Sequence, residues 1–283
     1  MQQQPKQAFE TQLVAGKVTP FFDWKELWRY RNLLLLWVKK DWTAGYKQTV
    51  LGPAWAVIQP IVSTLVYTVV FGGIAKLTPE GIPAFLYFMA GQILWTFFST
   101  TLQTIGNTYV DNAYILSKVY FPRAVLALVT LLSRLIAFGI HFVLFLIIYG
   151  IGMRQTGFLI QGTVWLLPLM LVHLGALALG VGLLLASINS YYRDFYLLQA
   201  YFVTLWMYLT PIVYDAGLVP ERLQTLYLLN PVTPVILLMR HAFFAQPMPS
   251  MWALWISVAQ SIVILLLGVY TFRRTERTFI DTM

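Results

Sequence analysis

The chain has 283 residues, of which 59% are hydrophobic and 11% charged, with a formal net charge of +8 and a mean hydropathy of +0.69. So little polar surface excludes a water-soluble globule of this length and indicates a polytopic membrane protein. Cysteine is absent, which excludes a disulfide framework, thiol chemistry and a thiolate metal site.

Residues 1–20 are polar and Gln-containing and lack the apolar core of a cleavable signal, so a cytoplasmic tail is expected there. Residues 21–44 read as an amphipathic helix lying in the inner interface. Asp23 and Glu26 give a capping-box-like start, and Trp24, Leu27, Trp28, Leu34, Leu35, Val38 and Trp42 share one stripe. Arg29, Asn32, Lys39 and Lys40 lie largely off that stripe, while Arg31 interrupts it and has to snorkel. Such a helix serves either as a functional gate or as a plain anchor.

From residue 45 onward the chain reads as a transmembrane domain. Six apolar stretches, at 52–74, 85–105, 124–151, 164–188, 195–214 and 251–272, each approach or exceed the ~20 residues that span a bilayer as a helix. The runs 144–149 and 183–186 are apolar on every side, unlike the alternating strands of a barrel, so the expected class is all-α. Fourteen Lys and Arg fall in the connecting segments on the cytoplasmic side if the N-terminus is inside, against four outside (Lys76, Arg154, Arg222, Arg240). The positive-inside rule then puts both termini in the cytoplasm. The basic charge belongs to that face and its anionic lipid, so nucleic acid is not implied.

Three connections stand out. Residues 107–123 mix Tyr109, Asp111, Tyr114, Ile115, Leu116, Lys118, Val119 and Tyr120, a composition suited to docking on another protein. Residues 190–194, Ser-Tyr-Tyr-Arg-Asp, make a short polar turn. Residues 215–250 hold five prolines around two short apolar pieces, 221–229 and 235–244, too short to span. A re-entrant hairpin on the outer side fits them, and an amphipathic loop on the membrane surface is the other reading.

The chemistry the chain lacks is informative. It contains neither Gly-x-x-x-x-Gly-Lys-Ser/Thr nor Gly-x-Gly-x-x-Gly, so any ATP must bind a partner. His141, His173 and His241 have no metal-ligand spacing, and His141 and His173 read as core residues bonded to Ser, Thr or backbone. With no Asp or Glu in the six stretches, proton or sodium coupling is disfavoured. The same absence argues against a self-sufficient flippase or secondary transporter, and the lack of clustered Asp, Glu or His argues against a membrane glycosyltransferase or acyltransferase. Arg134 is the charge deepest in a span; it either serves function or snorkels inward. Aromatics near span ends form interface belts or line a sugar path.

The segment GYKQTVLGPAWAVIQP at 45–60 resembles the entry to the first span in permease subunits of ABC polysaccharide exporters. LSKVYFPR at 116–123, NSYYRD at 189–194, LTPIVY at 209–214, VPERLQTLYLLNPVTPVI at 219–236 and FRRTERTFID at 272–281 continue the resemblance in the same order and spacing, so it covers nearly the whole chain from Phe22. It implies a non-enzymatic channel subunit of the bacterial inner membrane, acting as a homodimer with two copies of a separate ABC ATPase. That partner carries ATP and magnesium, and this chain binds no cofactor. The resemblance makes about 107–120 a coupling helix, with Tyr114, Leu116, Lys118 and Tyr120 as its expected contacts. It makes the N-terminal helix an inner gate, with Arg29, Arg31, Lys39, Lys40 and Arg134 as candidates to receive the diphosphate of a lipid-linked polysaccharide. The hairpin caps the outer mouth, with Pro220, Tyr227, Asn230 and Pro231 as its candidate residues. O-antigen is the first cargo to consider; teichoic acid and capsular polymer are the alternatives.

Overall fold

The computed structural model describes residues 28, 30–47, 49–112, 124–157 and 159–281, and every regular element in them is helical. In chain order the helices of eight residues or more are α1 (Arg31–Tyr46), α2 (Gly52–Ile74), α3 (Ala84–Gly106), α4 (Ala124–Thr156), α5 (Leu167–Tyr191), α6 (Arg193–Tyr208), α7 (Glu221–Leu228), α8 (Thr233–Phe244) and α9 (Met251–Asp281), with short helical turns at Thr108–Asp111, Gly162–Leu166 and Ala216–Leu218. Five helices are long and apolar enough to cross a membrane, and α7 with α8 would make a sixth if that bent pair were one span.

The sequence sets most of the helix ends. Gly52 takes a left-handed φ of 51°, which costs glycine little, and Pro53 starts the helical turn that opens α2. α2 carries Pro60 in its interior and closes in a π-helical turn, Thr68–Ile74. Pro168 and Pro234 stand in the first turns of α5 and α8, where the missing N–H leaves no bond unmade. Tyr192 adopts an extended conformation and separates α5 from α6.

The expected fifth span, 195–214, is corrected by α6. This helix has 16 residues, about 24 Å at 1.5 Å per residue, and ends at Tyr208. Pro211 explains the stop: it has no N–H, and its ring would meet the carbonyl of Met207 if the helix continued. Apolar residues do run on to Tyr214, but they lie in turns.

α3 is the central post. Of its most apolar window 78% is buried, against 11% for α2 and 17% for α4. Phe97 meets Phe138 of α4 edge-on at 5.7 Å, and Phe98 meets Trp206 of α6 at 5.1 Å. α5 and α9 approach closely because glycines face each other: a Cβ on Gly180 would lie 2.7 Å from the Leu265 Cα, and one on Gly268 would strike the Gly180 carbonyl. The same pair is tied by His173, whose Nε2 lies 2.8 Å from Ser261 Oγ and 3.2 Å from Ser257 Oγ.

α1 docks on the start of α4 through Tyr30, Leu34, Trp37 and Val38, which pack against Val125, Leu126 and Val129. The expected stripe is therefore rotated. Trp28 and Leu35 are exposed, and Trp37 takes the inward position one turn after Leu34. Arg31 lies on the exposed side and does not interrupt the packed face. The helix also runs past residue 44, to Tyr46. Trp24, Leu27, Asp23 and Glu26 lie outside the described residues.

Candidate functional site

At the end of the bundle away from α1, α7 and α8 meet at an angle of 101°. The two halves differ. α8 is buried over most of its length, whereas α7 has no buried residue and exposes Leu223 and Leu226. One piece thus folds into the bundle while the other lies on its surface, an arrangement consistent with the expected re-entrant hairpin.

Arg240 of α8 was counted among the outer-loop cations; it is instead wholly buried, with no exposed surface. Its guanidinium carbon sits 3.7 Å from the centroid of the Tyr87 ring on α3. Its two terminal nitrogens donate to the Tyr214 carbonyl at 3.3 Å and the Ile212 carbonyl at 3.2 Å. Tyr87 in turn donates its hydroxyl to Asp215 Oδ1 at 3.0 Å, and Asp215 Oδ2 accepts the Gly217 N–H at 3.2 Å. A buried cation needs compensation, here from a ring face, two carbonyls and a nearby carboxylate linked through that ring's hydroxyl. Arg240 was the one charge in the apolar run 232–240, and that was the available signal.

Asn230, at the corner between α7 and α8, makes four bonds. Its Nδ2 donates to the Leu209 carbonyl (3.2 Å) and Thr210 Oγ1 (2.9 Å), and its Oδ1 accepts from Trp206 Nε1 (3.0 Å) and the Val232 N–H (3.2 Å). Next to it the Pro231 carbonyl accepts Ser257 Oγ of α9 at 2.6 Å. Tyr227 is half-buried with its ring 6.3 Å from that of Tyr214, and its buried hydroxyl has no hydrogen-bond partner. Pro220 is exposed and precedes α7. Of the four predicted outer residues, Asn230 and Pro231 thus tie the corner to α6 and α9, Tyr227 joins the Tyr214 surroundings, and Pro220 stands apart.

α6 presents Tyr201, Thr204 and Tyr208 on an exposed face at helical spacing, with Tyr201 71% exposed. Its neighbour α2 is attached through Tyr67, whose hydroxyl lies 3.6 Å from Met207 Sδ. Phenolic rings offer an apolar face and a hydroxyl together, which a hydrocarbon-facing helix does not require.

At the α1 end a buried amide cluster joins three helices. Asn189 Nδ2 donates to the Gly106 carbonyl at 2.9 Å and lies 3.1 Å from Gln199 Oε1, while Gln199 Nε2 donates to Asn107 Oδ1 at 2.6 Å. Asn189 and Gln199 are 2% and 4% exposed; Gln199 was the one amide in the apolar run 195–203, and that was the available signal. Tyr191 and Tyr192, in the 190–194 turn, are exposed.

Among the described residues the predicted inner cations each have their own partners or surroundings. Arg31 lies over the Trp28 ring at 5.4 Å and donates to the Trp28 carbonyl; Lys40 lies over Trp37 at 5.1 Å; Lys39 is exposed. Arg134 is on α4 and donates to Thr104 Oγ1 of α3 at 3.2 Å, while its buried Nε has no partner. Arg29 and the coupling residues Tyr114, Leu116, Lys118 and Tyr120 lie outside the described residues. Among the described residues no group of His, Asp or Glu is placed to hold a metal ion.

Residues 32–244 match the ABC-2 type transporter family. A relative from Myxococcus xanthus, the O-antigen export system permease protein RfbA, is 28% identical over 265 residues, covering 92% of this chain and 98% of its own length. The Klebsiella pneumoniae protein of the same name is 27% identical over 219 residues, covering 75% of this chain and 80% of its own.

Proposed function

The chain belongs to the ABC-2 type transporter family, and from that premise we propose that it is the transmembrane subunit of an ABC-type polysaccharide exporter with O-antigen as its cargo. In this reading two copies pair in the bacterial inner membrane with both termini cytoplasmic, and each engages one copy of a separate ATPase through 107–123. ATP and magnesium belong to that partner, and this chain adds neither a cofactor nor a catalytic step. The cargo enters as a lipid-linked glycan whose diphosphate meets the basic residues of α1 and Arg134. Likeness to the O-antigen permeases of Myxococcus xanthus and Klebsiella pneumoniae supports the cargo class.

The observation that carries the reading is the exposed Tyr201, Thr204 and Tyr208 row on α6 beside α2. A long glycan must slide, so it is held by rings that stack on sugar faces and by hydroxyls that exchange hydrogen bonds quickly, without a tight pocket. Teichoic acid and capsular polymer would be served by the same chemistry and stay as the second reading. The test is ATP-dependent movement of a lipid-linked glycan in proteoliposomes containing this chain with its ATPase. Movement by the chain alone, with no ATPase and no ATP, would reject it.

A further inference from the structure

Two amide clusters, one buried around Asn189 and Gln199 and one half-buried around Asn230, sit at opposite ends of the same helix. Gln199 lies in the second turn of α6 and holds Asn107 and the Gln103 carbonyl, at 2.6 and 3.4 Å, where α3 gives way to the connection 107–123. At the other end Trp206, Leu209 and Thr210 are held by Asn230, at the corner of α7 and α8. Between these clamps α6 is a short unbroken helix, stiff along its axis because each turn is braced by the next. Asn189 adds the end of α5 to the first clamp, and its buried Oδ1 has no partner, leaving an acceptor open to another arrangement of the same amides.

We propose that α6 is a push-rod: Gln199 transmits displacement of Asn107, at the end of α3, to α6, and Asn230 passes it to the α7–α8 corner. Gln199 and Asn230 are positioning residues that touch neither nucleotide nor glycan. The assignment rests on the exporter reading above, because it needs an ATPase that moves the connection. It requires both clamps to be tight, since a slack joint at either end absorbs the motion. Amides suit the task, each pairing donor and acceptor with different helices at once.

The chain contains no cysteine, so a spin label can be placed at Arg222→Cys on exposed α7 without removing any native thiol. In the complex with its ATPase, the distance between the labels of the two copies is measured with and without bound nucleotide, together with glycan moved per ATP hydrolysed. Gln199→Leu and Asn230→Leu are each expected to keep the ATPase bound and hydrolysing. Each should abolish the nucleotide-dependent distance change and lower glycan per ATP by about fivefold or more. Gly106→Ala is a second route to the same joint: its Cβ would lie 2.8 Å from Gln199 Oε1 and displace the amide without deleting it. Retained distance changes and wild-type glycan per ATP in Gly106→Ala or Asn230→Leu would overturn the push-rod even if Gln199→Leu failed to fold. Absence of any inter-copy signal or of ATP-dependent export in the unsubstituted chain would overturn the exporter reading, and the push-rod with it.

Discussion

The guanidinium carbon of Arg240 lies 3.7 Å from the centroid of the Tyr87 ring, and both side chains are wholly buried. Arg240→Ala leaves a cavity, takes the donor from the Ile212 carbonyl and leaves the Tyr214 carbonyl only the Tyr87 hydroxyl at 3.5 Å, and should cost about 3 kcal/mol of stability. Arg240→Lys keeps the charge but not the planar fork, so it should recover only part of that. Tyr87→Phe keeps the ring and loses the bond to Asp215, about 1 kcal/mol. Thermal unfolding of the purified protein in detergent should rank the variants in that order. A Tyr87→Phe loss as large as that of Arg240→Ala would show that the hydroxyl, rather than the ring face, holds the cluster.

Gly268→Val should prevent the packing of α9 on α5, because a Cβ there collides with the Gly180 carbonyl. Gly139→Ala meets nothing within 4 Å and should be neutral or slightly stabilising, since alanine favours a helix by about 1 kcal/mol over glycine. The yield of monodisperse protein separates the two. Equal yields would mean that α5 and α9 can part without cost.

Tyr201→Ala and Tyr208→Ala together should lower glycan movement about tenfold while leaving the melting temperature within a few degrees, because surface changes away from packed groups shift stability by about 0.5 kcal/mol. Phe at both positions should restore most of the movement if stacking dominates, and little if the hydroxyls do. Transport unaffected by the double Ala variant would remove α6 from the glycan path.

Charge reversal at Arg31 should impair export more than reversal at Lys6 or Lys17, because a receptor for a diphosphate needs position as well as charge. Equal effects would reduce α1 to an anchor on anionic lipid. At Arg134 the comparison is with its partner: Thr104→Val removes the bond at 3.2 Å and should change export by less than about twofold, whereas Arg134→Met removes the group with the unpaired Nε. Matching losses in both would make the contact between α3 and α4 its whole role.

Apolar length made five spans legible because the bilayer imposes that length on any helix that crosses it. The same rule misled at 195–214. Composition there stays apolar past the end of the helix, and Pro211, visible in LTPIVY, was outweighed by the hydropathy around it. Asn230 and Pro231 entered as candidate residues of the outer hairpin through the resemblance, whereas the partners of Asn230 at the end of α6 were not legible, since pairing across helices leaves no local periodicity. Arg240 shows the limit from the other side. Its charge stood out in an apolar run, but its burial depends on Tyr87 and on carbonyls whose availability follows from where α6 stops.

That stop has a consequence for how the region tolerates change. Leu209 offers a main-chain oxygen to Asn230 of the corner, and Ile212 and Tyr214 offer theirs to Arg240 of α8, so the socket is specified by chain length and conformation more than by side-chain identity. Conservative exchanges at these positions would leave the oxygens in place. Inserting or deleting a single residue between Tyr208 and Asp215 would move every one of them out of register, and homologous sequences should accordingly vary here in letters while keeping the count.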